Sequence, residues 1–357
     1  MARLSIGEFA QACGLTPKAL RLYDELALLP PAHVDPHSGY RSYERGQLER
    51  ARLVAWLRGL GMPLSRIRTV CDLPAAAAAS EVASYWRQVE ADTAARKELA
   101  AFLIDQLSRK ETDMTEQTRN VGLRSAARLE CGPVRPTNQD SAYAGKHLFA
   151  VADGFGADAG DDSAATAVVR ALEPLDAPVP AGRLPQAVGA VTGTARGAVE
   201  EFVAAEPAHA DTGTTLTALL WSGAQVAIVH IGDCRAYLLR GGELTRITHD
   251  HTLVQSLVDE GRLTPEEAET HPRRATLTRA LHREHAEPDL QIRQARVGDR
   301  YLLCSDGVHG VLAETALAAT LADSGSAEQV ADALLAHVAD NGTPDNAACV
   351  VVDVLPA

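Results

Sequence analysis

No run of apolar residues approaches the ~20 that a membrane-spanning helix needs, so no membrane partner is expected. The N-terminus, MARLSIGEFAQACG, lacks the apolar stretch of a signal peptide. The six cysteines (Cys13, Cys71, Cys131, Cys234, Cys304, Cys349) form no C-x-x-C pair. That spacing argues against a zinc site or a disulfide framework and suits a reducing cytoplasm. Cys304 and Cys349 lie in apolar runs and read as core, not as nucleophiles. No internal repeat recurs. His249, His251, His271, His282 and His285 show no metal-ligand spacing and read as solvated loop residues.

The 357 residues exceed what one core usually absorbs, so two or more domains are expected. An apolar content of 46% is that of a globular chain. A net charge of −13 argues against nucleic acid until its distribution is read. Residues 1–74 hold 10 of the 34 basic and 7 of the 47 acidic residues, about +3. The remainder holds 24 and 40, about −16. A mildly basic head thus precedes an acidic body. Most acidic surface only solubilises, but a carboxylate site for divalent cations would leave the same imprint.

In residues 1–74, Ser5 can cap a first helix, and Thr16-Pro17 is an N-cap with proline at the first helical position. The segment PPAHVDPHSGYRSY has turn residues followed by alternation and predicts a small β-wing. Gln47–Gly59 and Pro63–Val70 predict two more helices. Over 75–112, Val82, Tyr85, Trp86 and Val89, then Leu99, Phe102, Leu103 and Leu107, recur at three- and four-residue spacing. This is one long amphipathic helix, whose stripe needs either a second copy in a coiled coil or the chain's own domain. Residues 113–123 read as a linker. Over 124–357 strands and helices alternate, with strands expected at Arg124–Cys131, Leu148–Asp153, Thr214–Trp221, Gln225–Ile231, Arg235–Leu239, Arg300–Ser305 and Ala347–Leu355. Their close spacing predicts largely antiparallel sheets with helices outside.

Five aspartates sit at strand ends or in small-residue loops: Asp140 in RPTNQD, Asp153 in VADGFG, Asp233 in HIGDCR, Asp306 in LLCSDG and Asp345 in TPDNAA. A strand end fixes a carboxylate, and an adjacent glycine lets backbone or water come close. Hard cations such as Mg²⁺ and Mn²⁺ take oxygen ligands. One Asp-Gly pair is usually a turn; the set is more specific.

With VRPTNQDS, DTGTTLTALL, GDCRAYLLRGGELTRIT, LTRAL, GDRYLLCSDG and PDNAACVVV, these motifs resemble the protein phosphatase 2C family of metal-dependent serine/threonine phosphatases. The resemblance spans about 124–354. It implies a four-layer α+β sandwich of two antiparallel sheets flanked by helices, acting on a phosphoprotein. It implies two Mn²⁺ or Mg²⁺ ions and a weaker third. Asp153 would bridge the pair, the Gly154 carbonyl would complete one shell, Asp306 and Asp345 would hold the first ion, and Asp233 the third. Arg135 would bind phosphate, as a bidentate guanidinium suits it. Gln139 and Asp140 would stand behind the ligands, and His249–His285 would be a flap beside the site. The chain departs from the family's pattern at Gln139, where Glu is usual; at Phe155, where some members have His; at Ala157, where Gly is common; and at Cys234, where Ser is usual.

The segments LSIGEFAQACGLTPKALRLYDELALLPP and VDPHSGYRSYERGQLERARLVAWLRGLGMPLSRIR resemble the MerR family of transcription regulators over about 3–74. That resemblance implies a winged helix-turn-helix bound to double-stranded promoter DNA. Lys18, Arg21 and Tyr23 would lie on the recognition helix, and Tyr40 and Arg41 on the wing. The long helix over 75–112 would form a homodimer. The expected organisation is therefore a winged helix-turn-helix at 1–74, a dimerisation helix at 75–112, a linker at 113–123 and a phosphatase domain at 124–357. Two alternatives stay open at this stage: a regulator whose phosphatase-like body only senses a ligand, and a phosphatase whose head only dimerises.

Overall fold

The structure is a computed structural model and describes residues 3–108, 121–156, 163–260, 262–282, 286–343 and 345–357. The chain divides into two compact units, one of 1–89 with 253–276, the other of 90–252 with 277–357.

The first unit opens with β1 (Arg3–Ser5) and α1 (Ile6–Cys13). Ser5 and Glu8 cap α1 reciprocally: Glu8 N donates to Ser5 Oγ (3.2 Å) and Ser5 N to Glu8 Oε2 (2.8 Å). Gly14, at φ 72°, ends the helix in the left-handed region that favours glycine. Thr16 then caps α2 (Pro17–Glu25), accepting from Ala19 N at 3.1 Å. Strands β2 (His33–Val34) and β3 (Arg41–Glu44) follow, and β3 pairs with both β1 and β2 in a three-stranded antiparallel sheet. Helices α3 (Leu48–Gly59) and α4 (Leu64–Asp72) close a small core of Phe9, Leu20, Tyr43, Val54, Met62 and Ile67. The Phe9 and Tyr43 rings stack there at 4.5 Å.

Helix α5 runs Ala75–Ser108, close to the expected 75–112, and the division between the units falls within it. The side chains of Leu99, Phe102, Leu103 and Leu107 lie outside the described residues, as do 113–120 of the expected linker.

The second unit holds two antiparallel sheets. One has the order β11 (Glu243–Arg246), β10 (Arg235–Arg240), β13 (Arg300–Cys304), β14 (Ala347–Pro356), β4 (Val121–Glu130). The other runs β12 (Asp289–Gln294), β9 (Gln225–Ile231), β8 (Leu216–Ser222), β6 (Leu148–Phe155), β5 (Asp140–Ala144), with β7 (Gly213–Thr214) added beside β6. Because successive strand side chains point to opposite faces, each strand serves two cores. Phe149 and Val151 of β6 face Val350 and Val352 of β14 between the sheets. Leu148, Ala150 and Ala152 instead pack on α6 (Ala164–Leu172) and α7 (Leu184–Ala205). Cys349 and Val351 pack outward on α11 (Glu314–Leu321) and α12 (Ala327–Asp340), so Cys304 and Cys349 are core residues.

Two expectations need correction. The first strand begins at Val121, inside the expected linker, because Val121–Leu123 pair with Leu355, Gly122's partner, and its neighbours in β14. Strands β5 and β12 were not expected. Both are short sheet edges: DSAYA has no large aliphatic residue, and DLQIRQ alternates over only Leu290 and Ile292. Among the described residues no helix is long and apolar enough to cross a membrane.

Candidate active site

The β5–β6 register sets Asp140 directly opposite Asp153, two carboxyls at the ends of paired strands. Asp153 is fixed through its backbone: its N donates to Thr215 Oγ1 (3.0 Å), and its carbonyl accepts from Thr215 N (2.9 Å) and Thr214 Oγ1 (3.0 Å). Gly154 N donates to the Gln139 carbonyl at 3.1 Å. The Ser163 hydroxyl donates to the same carbonyl at 3.1 Å, so the Gln139 backbone locks the β6 end to the start of α6.

Asp306 follows β13 and opens the short helix α10 (Asp306–His309). Gly307 is obligatory: a Cβ there would stand 1.8 Å from the Asn346 carbonyl oxygen. Ser305, fully buried, donates from Oγ to Asp140 Oδ2 (2.6 Å) and accepts from Ala348 N (2.9 Å). It ties three strands together behind the carboxyls. Asp233 sits in the turn after β9, and its carbonyl is hydrogen-bonded to His309 Nε2 at 3.0 Å. Gly232 precedes it at φ 106°, with its N–H donating to His251 Nδ1. Arg135 Nη2 meets Asp345 Oδ2 at 2.7 Å. Asn346 pins the Arg135 loop, donating to the Cys131 (2.9 Å) and Thr137 (3.0 Å) carbonyls while its Oδ1 accepts from Gln139 N (2.9 Å).

The carboxyls perturb one another. Burial, with the neighbouring Asp306 and Asp345, pushes the Asp140 carboxyl up to about 7 against the hydrogen bond from Ser305. Burial, then Asp306 and Asp250, pushes Asp233 up to about 8. Asp153 is raised by burial and by all four of Asp140, Asp306, Asp233 and Asp345; Asp306 is raised by burial and by Asp345. Carboxyls that mutually disfavour ionisation are what a hard cation relieves. Among the described residues no three His, Cys, Asp or Glu side chains are already drawn into a closed cage. Asp345 is instead turned to Arg135. The donor chemistry, carboxylate and carbonyl oxygens, is of the kind hard divalent cations take.

At the departure point Phe155, the ring stacks on His282 with centroids 6.4 Å apart. His251 corrects the reading of solvated histidines: it is 7% exposed, hydrogen-bonded to Gly232 N and facing Asp289 at 3.1 Å. Ala157 and His285 lie outside the described residues. Sequence reasoning missed Ser305, Asn346 and Thr215. Each stands inside one of the motifs CSDG, PDNAA and DTGTT, and Ser305 and Asn346 directly adjoin Asp306 and Asp345.

In the first unit, Lys18 and Arg21 are exposed on α2 and Tyr40 is 57% exposed before β3. Arg41 is half-buried, its Nε 2.6 Å from Asp24 Oδ2. Tyr23 is corrected from a DNA-facing position: it is 5% exposed, because three residues after Leu20 it shares the face of α2 that packs in the core.

Known proteins match the chain in two consecutive stretches, the second running through the 253–276 segment of the first compact unit. Residues 4–73 match the family described as MerR HTH family regulatory protein, and 136–349 match Protein phosphatase 2C. The serine/threonine protein phosphatase PstP of Mycobacterium tuberculosis is 47% identical over 233 residues, 65% of this chain and 45% of that protein. The serine/threonine phosphatase stp of Listeria monocytogenes is 35% identical over 142 residues, 40% of this chain and 56% of that one. The chain thus spans about half the length of the curated relatives it matches. The crystal structure of M. tuberculosis PstP/Ppp superposes with a TM-score of 0.63 at 46% identity, covering 66% of this chain and 99% of that one. The PstP catalytic domain in complex with two manganese ions gives a TM-score of 0.61 at 44% identity, covering 66% and 100%.

Proposed function

This chain belongs to the protein phosphatase 2C family, and we propose that residues 124–357 hydrolyse phosphoserine and phosphothreonine in a phosphoprotein. The observation that carries the reading is the convergence of the buried Asp140 and Asp233 with the half-buried Asp153 and Asp306, carboxyls that raise one another, with Asp345 held at their edge by Arg135. Asp153, the Gly154 carbonyl, Asp306 and Asp345 would hold two Mn²⁺ or Mg²⁺ ions, and Asp233 a third. Such ions, when bound, lower the pKa of water and offset charge on a phosphoryl group. The remaining work falls to the chain. Arg135, exposed on its loop, exchanges its carboxylate partner for the substrate's phosphate, positioning it in a bidentate grip. Asn346 keeps that loop in place, and Ser305 holds Asp140 toward Asp153. Gln139 acts through its backbone, which explains how a neutral residue is accommodated where Glu is usual.

Residues 1–74 act as a winged helix-turn-helix on double-stranded promoter DNA, with Lys18 and Arg21 on the groove-facing side of α2 and Tyr40 and Arg41 on the wing. The chain dimerises through 75–112. Ala78, Val82 and Tyr85 pack on the head's own core, while Trp86, 43% exposed on α5, leaves apolar surface for a second copy. Six free cysteines suit a cytoplasmic setting, where the protein would regulate transcription. The test is turnover of a phosphopeptide with Mn²⁺ by the parent and by Asp306→Ala, alongside gel shifts of upstream DNA by the parent and by Arg21→Ala. Absent turnover, or turnover indifferent to Asp306, ends the enzyme reading. A shift untouched by Arg21→Ala ends the DNA reading.

A further inference from the structure

Both backbone polar groups of Gly232, the residue before Asp233, are held by a single residue, His251. Gly232 N donates to His251 Nδ1 at 3.1 Å, and the Gly232 carbonyl accepts from His251 N at 2.8 Å. Gly232 stands at φ 106°, and a Cβ there would lie 2.4 Å from Thr215 Cγ2. The turn is therefore pressed onto Thr215, whose hydroxyl accepts from Asp153 N. In the chain, His251 precedes α8 (Leu253–Asp259), and Arg279, which also reaches this ring, follows α9 (Pro265–Glu269). Gly232, Asp233, Thr215, His251, Arg279 and Asp289 all belong to the second compact unit.

The His251 ring is itself oriented. It is buried beside the His230 ring, their centroids 4.8 Å apart. Asp289 opens β12 opposite His230 of β9, and this register brings its Oδ2 to 3.1 Å from His251 Nε2. Arg279 Nη2 lies against both ring nitrogens and donates to Asp289 Oδ1 at 2.5 Å. Nδ1 thus faces only donors, Gly232 N–H and Arg279, so the ring proton sits on Nε2 and is given to Asp289. Burial holds the imidazole below its usual pKa, against the hydrogen bond to Asp289 and with the help of the Arg279 charge, so the ring stays neutral. A carboxylate on one ring nitrogen fixes what the other presents. Here it presents a lone pair to the backbone that leads into Asp233.

We propose that His251, oriented by Asp289 and Arg279, is a positioning residue: it clamps the turn that carries Asp233 and so sets how tightly the third cation is held. The second half rests on the proposed role of Asp233 as a cation ligand. The full chain is compared with His251→Asn, His251→Phe and Asp289→Asn by amide exchange at Gly232, imidazole nitrogen NMR and Mn²⁺ titration calorimetry. Asp233→Asn marks the step of the titration that belongs to Asp233. The amide oxygen of His251→Asn takes the place of Nδ1 and should keep Gly232 protected, whereas His251→Phe offers no acceptor. In Asp289→Asn, Arg279 claims the amide oxygen and leaves the amide NH2 facing Nε2, so the ring proton moves to Nδ1, against Gly232 N–H. The Asp289 side chain is 43% exposed, so this variant decides the matter should His251→Phe not fold. Exchange at Gly232 should quicken roughly five- to tenfold in His251→Phe and Asp289→Asn, the worth of one hydrogen bond. The Asp233 step should weaken about tenfold in both, the scale of losing an outer partner of a metal site, with the other steps unmoved. A parental ring protonated at Nδ1, or parental exchange in both variants, overturns the clamp. Faster exchange with a parental Asp233 step overturns the control of the cation. A titration that Asp233→Asn leaves unchanged removes Asp233 as a ligand and that control with it, while exchange still decides the clamp.

Discussion

Replacing Ser305 by alanine removes one hydroxyl from the floor of the carboxyl cluster, and its consequences follow from two hydrogen bonds. The hydroxyl donates to Asp140 Oδ2 at 2.6 Å and accepts from Ala348 N at 2.9 Å, with no exposure to water. A bond to a charged acceptor is worth about 1.5–3 kcal/mol, and a buried donor left without its acceptor costs about 1–3 kcal/mol. These overlap, so we expect a loss of about 2–4 kcal/mol, or roughly 6–12 °C in melting temperature for a domain of this size. A second effect has a definite sign. The Ser305 bond lowers the Asp140 carboxyl, which burial holds near 7, so its removal raises that carboxyl further. On the proposed metal reading a bound cation favours the ionised form of Asp140, which stands behind its ligands. The pH at which Mn²⁺ binds half-maximally should therefore rise by about one unit, the equivalent of ~1.4 kcal/mol. Thermal unfolding and Mn²⁺ titration calorimetry between pH 6 and 8 test both parts. A Ser305→Ala chain that melts within two degrees of the parent and binds Mn²⁺ with the parental pH profile would refute the reasoning.

On the proposed metal reading, cation binding in the parent expels protons from Asp140 and Asp233, raised to about 7 and 8. Mn²⁺ should then raise the melting temperature more at pH 7.5 than at pH 6, with apparent affinity changing about tenfold per pH unit for each proton released; equal shifts would contradict it. His230 is buried, and burial with the nearby His251 pushes its imidazole down to about 4 from 6.5. The unfolded chain then binds the extra proton, so its contribution is complete above pH 6.5 and is lost as pH falls to about 4, up to about 3 kcal/mol. Urea unfolding of parent and His230→Gln at pH 4.5 and 7 should show the steeper loss in the parent. Gly307→Ala forces a Cβ to within 1.8 Å of the Asn346 carbonyl, and we expect about 3 kcal/mol or more of destabilisation by thermal melting; a parental melt would show that the strands can yield there.

The parts of the molecule that were legible in the sequence are those with a local cause. The Ser5 cap, the Thr16-Pro17 start and the Val-rich strands β6, β9 and β14 each announce themselves within a few residues. The aspartates were legible because strand end, glycine and carboxylate are adjacent in the chain. Tyr23 was misplaced because its hydroxyl suggests an outward role, while packing of α2 against the core decides its direction. His251 was misplaced because its partners, Gly232 and Asp289, come from other strands. Ser305 and Asn346 carry no chemistry of their own; only the fold shows that their polar atoms brace the carboxyls.

The pairing of β4 with β14 runs for ten residues and joins Val121 to Pro356. During synthesis the earlier strand must wait, its hydrogen-bonding edge open, until more than two hundred further residues have been added. The closing of that sheet is therefore a late, long-loop event, slow by the entropy of its own topology. A nascent chain stalled between residues 307 and 344 would hold every carboxyl of the cluster except Asp345 in a half-built sheet, ready to associate with a neighbour. Ribosome pausing within 300–346 should show up as aggregation well before it shows up as lost catalysis.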